Sequence, residues 1–135
     1  MAIFVDTGVF VAARNVREVD HVKARGLLEQ ALKGEFGTVY TSDYAVDEAV
    51  ATSYSHTRNF GLALGVGRLA LGSPRVEKPF TGGAEFHDSW EKFRGLGKKP
   101  LSFTDCVSLV HMERRGIERI MSFDSGFDGL ATRIH

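Results

Sequence analysis

Apolar residues along this chain follow two spacings: short runs that predict strands, and longer i, i+3, i+4 patterns that predict helices. The strand-like runs cover residues 2–5, 38–41, 75–78 and 117–122. Helical patterns begin at residues 20, 42, 57, 81 and 102, and residues 7–13 predict a short helix or turn. Strands that alternate with helices in this way favour an α/β fold with a mostly parallel sheet.

The clearest helix begins after Ser102, because Asp105 three residues later completes an N-terminal capping pattern. Gly116 is expected to end this helix, since glycine is the usual residue at a helix C-terminus. Residues 117–122 then predict a strand, and Asp124 follows that strand directly. The segment therefore places one carboxylate at the start of a helix and another at the end of a strand.

Two further helices are predicted from their possible capping residues, Ser42 and Thr57. The helix that starts at Ser42 carries Glu48, and the helix that starts at Thr57 runs to Leu71. Glycines 61, 65 and 67 interrupt the second pattern, and each costs about 1 kcal/mol relative to alanine. That helix is expected to form if the glycines permit close packing against a neighbour.

Four acidic residues occupy positions that a parallel sheet brings to one edge: Asp6, Glu48, Asp105 and Asp124. Asp6 ends the first strand, and right-handed crossovers place the carboxyl ends of parallel strands on a common edge where ligands bind. Each acid also has a simpler interpretation on its own. Asp105 could only cap its helix, and Asp124 could only start a turn.

Carboxylates gathered at one edge would repel each other, and a bound cation would relieve that repulsion. Two unit charges about 5 Å apart cost roughly 3 kcal/mol at an effective dielectric constant near 20. Oxygen ligands suit Mg²⁺ or Mn²⁺, and the sequence has no His/Cys cluster that would favour zinc. An ion held in this way can activate water and stabilise charge on a phosphate, so phosphodiester hydrolysis is the reaction that fits.

Composition narrows the class of protein without identifying a partner. The 17 basic and 17 acidic residues balance, so the chain lacks the basic excess that many nucleic-acid binders show. The single cysteine, Cys106, excludes an internal disulfide and fits a cytoplasmic protein. No apolar run is long enough to cross a membrane, and the length fits a single domain over residues 1–135. Basic residues of the C-terminal half form a candidate phosphate-facing rim: Lys92, Arg94, Lys98, Lys99, Arg114, Arg115 and Arg119.

Four motifs, in order along nearly the whole chain, resemble those of the PIN-domain family, specifically its small VapC toxin type. They are FVDTGVFVA, TSDYAVDEAVA, LSFTDCVSLVHME and SFDSGFD. The resemblance implies a three-layer α/β/α fold whose mostly parallel central sheet has four to five strands. It also implies that the metal-binding acids are Asp6, Glu48, Asp105 and Asp124, with supporting hydroxyl groups on Thr7, Thr104 and Ser122.

Members of this family are Mg²⁺- or Mn²⁺-dependent ribonucleases, and VapC-type members are homodimeric toxins that a partner antitoxin silences. The resemblance therefore implies an RNA substrate, an antitoxin and a second copy as partners. The motif SFDSGFD departs from the Thr-Asn-Asp-like run of many relatives, so Asp128 is an alternative fourth acid. Asp124 is favoured because it lies nearer the end of the strand. Asp43 and Asp47 are further acids close to Glu48.

Two other functions remain open at this point. The chain could be a catalytically inactive PIN fold that binds RNA or protein, or a different Mg²⁺-dependent phosphoryl hydrolase on a similar scaffold. The absence of a Walker-type glycine loop and of GxGxxG disfavours nucleotide-triphosphate and dinucleotide enzymes. The five histidines show neither metal-ligand nor triad spacing, so surface or packing roles are expected for them.

Overall fold

The computed structural model describes residues 1–135 as a five-stranded parallel sheet between two layers of helices. The sheet order is β3-β2-β1-β4-β5, which places the first strand at the centre. The three-layer α/β/α architecture is therefore confirmed, and the sheet is parallel throughout. In chain order the elements are β1 (Ala2–Val5), α1 (Thr7–Arg14), α2 (His21–Leu32), β2 (Thr38–Tyr40), α3 (Asp43–Thr57), α4 (Phe60–Gly72), β3 (Val76–Glu77), α5 (Gly83–Gly95), α6 (Phe103–Arg115), β4 (Arg119–Met121) and β5 (Thr132–Ile134).

The central strand β1 is buried on both faces, and its side chains alternate between two hydrophobic cores. Ile3 and Val5 pack in the larger core, beneath α1, α2, α3 and α4. Phe4 packs in the smaller core, together with Leu109 of α6 and Ile120 of β4. A strand covered on both faces is apolar at every position, which explains why β1 is a continuous apolar run.

Three predicted helix boundaries are present with the expected contacts. The Ser42 hydroxyl accepts a hydrogen bond from the Ala45 amide at the start of α3. Ser102 and Asp105 form a reciprocal capping box at the start of α6. Gly116 ends α6 with φ +64°, a left-handed conformation that glycine adopts without strain.

The prediction that Thr57 caps α4 is wrong. Thr57 is the last residue of α3, and the Asn59 side chain caps α4 by accepting a hydrogen bond from Leu62. The glycines of α4 do permit close packing within the chain. A Cβ atom at Gly67 would lie 3.2 Å from Val50 of α3, and one at Gly65 would lie 2.6 Å from the Arg14 guanidinium.

The strand β5 and the start of α5 differ from what the hydrophobic pattern predicts. The strand β5 pairs with β4 through only three residues, of which Thr132 is exposed and Arg133 and Ile134 are half-buried, so it has no long apolar run. The helix predicted to begin at Thr81 begins two residues later, at Gly83, because Thr81 forms hydrogen bonds to another part of the chain. None of the helices combines the length and the hydrophobicity that crossing a bilayer requires.

Candidate functional site

The candidate site lies at the carboxyl ends of β1 and β4. The chain builds β2 and β3 on one side of β1 and then returns to place β4 on the other side, so β1 and β4 flank the point where the strand order reverses. Val5 pairs with Met121 in register, and the Asp6 amide donates to the Met121 carbonyl at 3.0 Å. Such reversal points form a crevice at the sheet edge, where α/β proteins bind ligands.

Ser122 connects the acids that follow these two strands. Its hydroxyl donates a hydrogen bond to Asp6 Oδ2 at 2.7 Å and accepts one from the Asp124 amide at 3.0 Å. The Asp124 side chain in turn accepts a hydrogen bond from the Gly126 amide at 2.8 Å. A single buried hydroxyl therefore fixes the Asp6 carboxylate and the backbone that carries Asp124.

Thr7 connects the site to α3. Its hydroxyl donates to Glu48 Oε2 at 3.0 Å. The Thr7 hydroxyl also lies 3.4 Å from the Ala45 carbonyl oxygen. Glu48 lies in the second turn of α3 and is half-buried. The structure thus brings Glu48 to the first residue of α1, beside Asp6, as the sequence indicated.

Asp105 reaches the site from the opposite helical layer, at the start of α6. Its Oδ2 atom accepts a hydrogen bond from the Ser102 amide at 2.9 Å, and its own amide donates to the Ser102 hydroxyl at 3.1 Å. The side chain is buried. Asp105 therefore does cap its helix, and the cap holds a buried carboxylate toward the other acids.

The acids are close enough to affect each other's ionisation. Burial, with a smaller contribution from repulsion by Asp105 and Glu48, raises the pKa of Asp6 to about 7, and the Ser122 hydrogen bond opposes this increase. Burial also raises the pKa of Asp105, with repulsion from Asp124 and Glu48 as additional causes. The four acids thus form one electrostatically coupled group.

The remaining predicted residues lie outside this group or at its edge. Asp128 is exposed and forms an ion pair with Arg133, which lowers the pKa of Asp128. It is therefore engaged elsewhere, whereas Asp124 repels Asp105 directly. Thr104 is half-buried, and its hydroxyl forms no hydrogen bond. The position of Asp124 supports its assignment over Asp128, and that assignment stays a prediction.

The predicted basic rim does not form as a cluster. Lys92 pairs with Glu113 of α6, and Arg119 lies at the other end of the sheet, where it donates to the Phe36 carbonyl at 2.8 Å. Lys98 and Lys99 are exposed and form no ion pair. The other three also have partners: Arg94 pairs with Glu91, Arg114 pairs with Asp88, and Arg115 contacts His111.

The atoms around Asp6 determine whether the site suits the divalent ion that the family resemblance implies. No group of three His, Cys, Asp or Glu side chains is arranged to hold a metal ion directly. However, Asp6 Oδ1 is buried and has no hydrogen-bond partner, which is costly for a carboxylate oxygen. A cation at this atom would provide the missing partner. The surrounding ligands are all oxygen atoms, so in kind the site fits Mg²⁺ or Mn²⁺.

One polar network beside the site was not predicted from the sequence. Asp43 at the start of α3 accepts hydrogen bonds from the Thr81 amide and hydroxyl at 2.9 and 2.7 Å. The Thr81 hydroxyl also contacts Nε2 of the buried His111 at 3.0 Å, and Arg115 contacts His111 Nδ1 at 3.1 Å. Burial and then the Arg115 charge lower the pKa of His111. Asp43 is thus a structural acid, which removes one alternative to Glu48.

The PIN-domain model matches residues 3–132, so the chain belongs to the PIN-domain family. Its fold is similar to that of VapC20 from Mycobacterium tuberculosis, a sarcin-ricin loop cleaving toxin. That similarity has a TM-score of 0.82 and 22% identity, over 95% of this chain and 94% of that chain. A search of curated protein sequences gives no significant match.

Two other solved structures share the fold at lower similarity. VapBC2 from Rickettsia felis, solved with a DNA fragment from its promoter, has a TM-score of 0.69 and 16% identity over 99% of this chain and 98% of that chain. FitAcB from Neisseria gonorrhoeae has a TM-score of 0.61 and 16% identity over 98% and 96%. The chain therefore has the fold of VapC-type toxins.

Proposed function

We propose that this protein is a divalent-metal-dependent endoribonuclease, the toxin of a toxin–antitoxin pair, and that residues 1–135 form its single PIN domain. The observation that carries the proposal is Asp6: its Oδ1 atom is buried without a hydrogen-bond partner, and the charges of Asp105 and Glu48 act on it. A fold does not need such an arrangement, because an unpartnered buried carboxylate destabilises it. A reaction that needs a cation at the sheet edge would explain why the acids are arranged in this way.

The roles of the residues follow from their positions. Asp6, Glu48, Asp105 and Asp124 would hold Mg²⁺ or Mn²⁺, either directly or through water. When bound, the ion supplies an activated water and stabilises negative charge on the phosphate that is attacked. The hydroxyl groups of Thr7 and Ser122 orient Glu48 and Asp6, and the Ser102 amide orients Asp105.

The proposed activity is tested by incubating the protein with total RNA in Mn²⁺, in Mg²⁺ and in chelator. We expect discrete cleavage products only with a divalent ion. RNA that is bound but remains intact under all three conditions would support an inactive binding module instead. Cleavage of small phosphate esters without cleavage of RNA would support the other phosphoryl hydrolase.

Metal binding is expected to depend on Asp6. Calorimetric titration of the wild type with Mn²⁺ should show binding, and Asp6→Asn should weaken it, because the variant loses a charged oxygen ligand. Asp128→Asn is the matched control, since this acid is exposed and paired with Arg133. Equal affinity in wild type and Asp6→Asn would remove Asp6 from the metal site.

The proposed assembly includes an antitoxin and a second copy of the chain. The glycines of α4, at first a candidate contact, pack within the chain instead. An apolar surface beside them remains available: Leu64, Leu71 and Phe80 are exposed. VapBC2 is a toxin–antitoxin complex, and we propose a comparable antitoxin partner here.

A homodimer is expected by sedimentation at micromolar concentration. If the apolar surface forms the contact, Leu71→Glu should shift the mass to that of a monomer, because a charge there would be buried without a partner. Leu130→Glu is the control, because Leu130 is also exposed but precedes β5, whereas Leu71 precedes β3 at the opposite edge of the sheet. A monomeric wild type would contradict the dimer.

A further inference from the structure

Five aromatic side chains form a continuous partly exposed surface across α3, α5 and α6: Tyr44, Phe86, Trp90, Phe93 and Phe103. We propose that this aromatic surface is a subsite that stacks unpaired nucleobases of RNA next to the phosphate that is cleaved. The proposal rests on the proposed ribonuclease function and specifies which part of the RNA is recognised.

The rings form a connected set. Phe103 is central, with its centroid 5.3 Å from that of Phe86, 6.0 Å from that of Tyr44 and 6.2 Å from that of Phe93. Trp90 extends the set by stacking on Phe93 at 6.1 Å with an interplanar angle of 20°. The other four ring pairs are tilted by 52–63°, so bases would stack on the outer faces of the exposed rings and not between the rings.

The outer rings of the set remain accessible. Phe86 and Trp90 are each 48% exposed, and Phe93 is 39% exposed. Three large aromatic residues on one face of a surface helix would normally turn inward to the core. Exposed aromatic residues grouped in this way are typical of an interaction surface.

The aromatic surface is continuous with the candidate site. Tyr44 and Glu48 are four residues apart on α3, so they lie on the same side of that helix. The Phe103 ring, whose centroid lies 6.0 Å from that of Tyr44, belongs to the first turn of α6, which also carries Asp105 on a different side of that helix. A strand whose scissile phosphate lies at the acids would therefore bring adjacent bases to these rings.

The charges around the surface also fit RNA bases. Two of the three acids of α5 are neutralised, since Asp88 pairs with Arg114 and Glu91 pairs with Arg94, whereas Glu85 forms no ion pair. The neighbouring loop contributes Lys98 and Lys99, which are exposed without an ion pair and precede Phe103. Most of the negative charge beside the rings is therefore paired, and the two unpaired lysines are available for the backbone phosphates of RNA.

Trp90 allows a direct test, because it is the only tryptophan of the chain. In chelator, which prevents cleavage, we expect single-stranded RNA oligonucleotides to quench Trp90 fluorescence, while abasic oligonucleotides and duplex RNA of equal length do not. Phe86→Leu keeps apolar volume but removes one aromatic face, and should weaken single-stranded binding about tenfold. The control Tyr54→Leu, which changes an aromatic residue of α3 that is 42% exposed and lies outside the surface, should bind as wild type.

Several results would overturn the proposal. Equal quenching by abasic and ordinary RNA would mean that the protein contacts only the backbone. Unchanged binding in Phe86→Leu would exclude stacking. A dimer that Phe86→Leu or Trp90→Leu dissociates would assign the surface to a second copy instead. If Mn²⁺-dependent RNA cleavage persists at the wild-type rate in Phe86→Leu, the nuclease stands and the stacking subsite fails. If the wild type cuts no RNA, the nuclease itself fails.

Discussion

Replacing Asp105 with asparagine is expected to reduce RNA cleavage by orders of magnitude while leaving the metal-free protein as stable as the wild type, or more stable. Asparagine keeps the side-chain shape and can still accept the hydrogen bond from the Ser102 amide, so the helix cap survives. The substitution removes one negative charge from a coupled group of acids, and repulsion within that group falls. The expected loss of activity arises because the site can no longer hold and orient the ion.

A control variant on the same helix separates the capping role of Asp105 from its proposed role as a metal ligand. Ser102→Ala removes the hydroxyl that accepts a hydrogen bond from the Asp105 amide but leaves the Asp105 carboxylate in place. It should cost about 1 kcal/mol of stability and retain most of the cleavage rate. The measurements are melting temperature in chelator and cleavage rate in Mn²⁺. Near-wild-type cleavage by Asp105→Asn would show that Asp105 is only a cap.

The second large effect is expected for Asp6→Asn, and it depends on pH. The pKa of Asp6 is about 7 in the fold against an ordinary value near 3.8, so the fold favours the protonated carboxyl. The contribution of this group to stability is fully present below pH 3.8 and is lost as pH rises through about 7. At 1.36 kcal/mol per pH unit, the loss is on the order of 4 kcal/mol.

Asparagine cannot ionise, so Asp6→Asn should escape this loss. In chelator we expect the variant and the wild type to differ little at pH 4, and the variant to be more stable by a few kcal/mol at pH 8. Urea unfolding at a series of pH values measures the difference. Asp128→Asn gives the opposite sign, because the pKa of Asp128 is lowered and its contribution is lost as pH falls. If the difference in unfolding free energy between Asp6→Asn and wild type does not grow with pH, the pKa of Asp6 is not raised in the folded protein.

The elements whose own sequence determines them were predictable. The strand β1 is buried on both faces, and its continuous apolar run ending at Asp6 predicts a central strand directly. Ser102 and Gly116 carry the capping chemistry of α6 in the sequence itself. These signals are local, and local signals can be interpreted without knowledge of the neighbours.

The features that the sequence did not predict depend on distant partners. The strand β5 is defined by its pairing with β4, because its three residues carry no apolar run of their own. Thr81 does not start α5 because Asp43, 38 residues away, takes its amide and hydroxyl. In the site, the positions of the acids were predictable, whereas the Ser122 hydroxyl that connects Asp6 to Asp124 required the register of two strands.

That connection also determines when during synthesis the site can form. Asp6 and Ser122 are 116 residues apart in the chain, yet they lie on adjacent strands. A nascent chain that has emerged only as residues 1–100 contains Asp6 and Glu48 but lacks Asp105 and Asp124. One edge of β1 then has no β4 to pair with, and an unpaired strand edge promotes association with other chains. The proposed site can therefore assemble only after residues 119–124 have been made, when β4 docks beside β1.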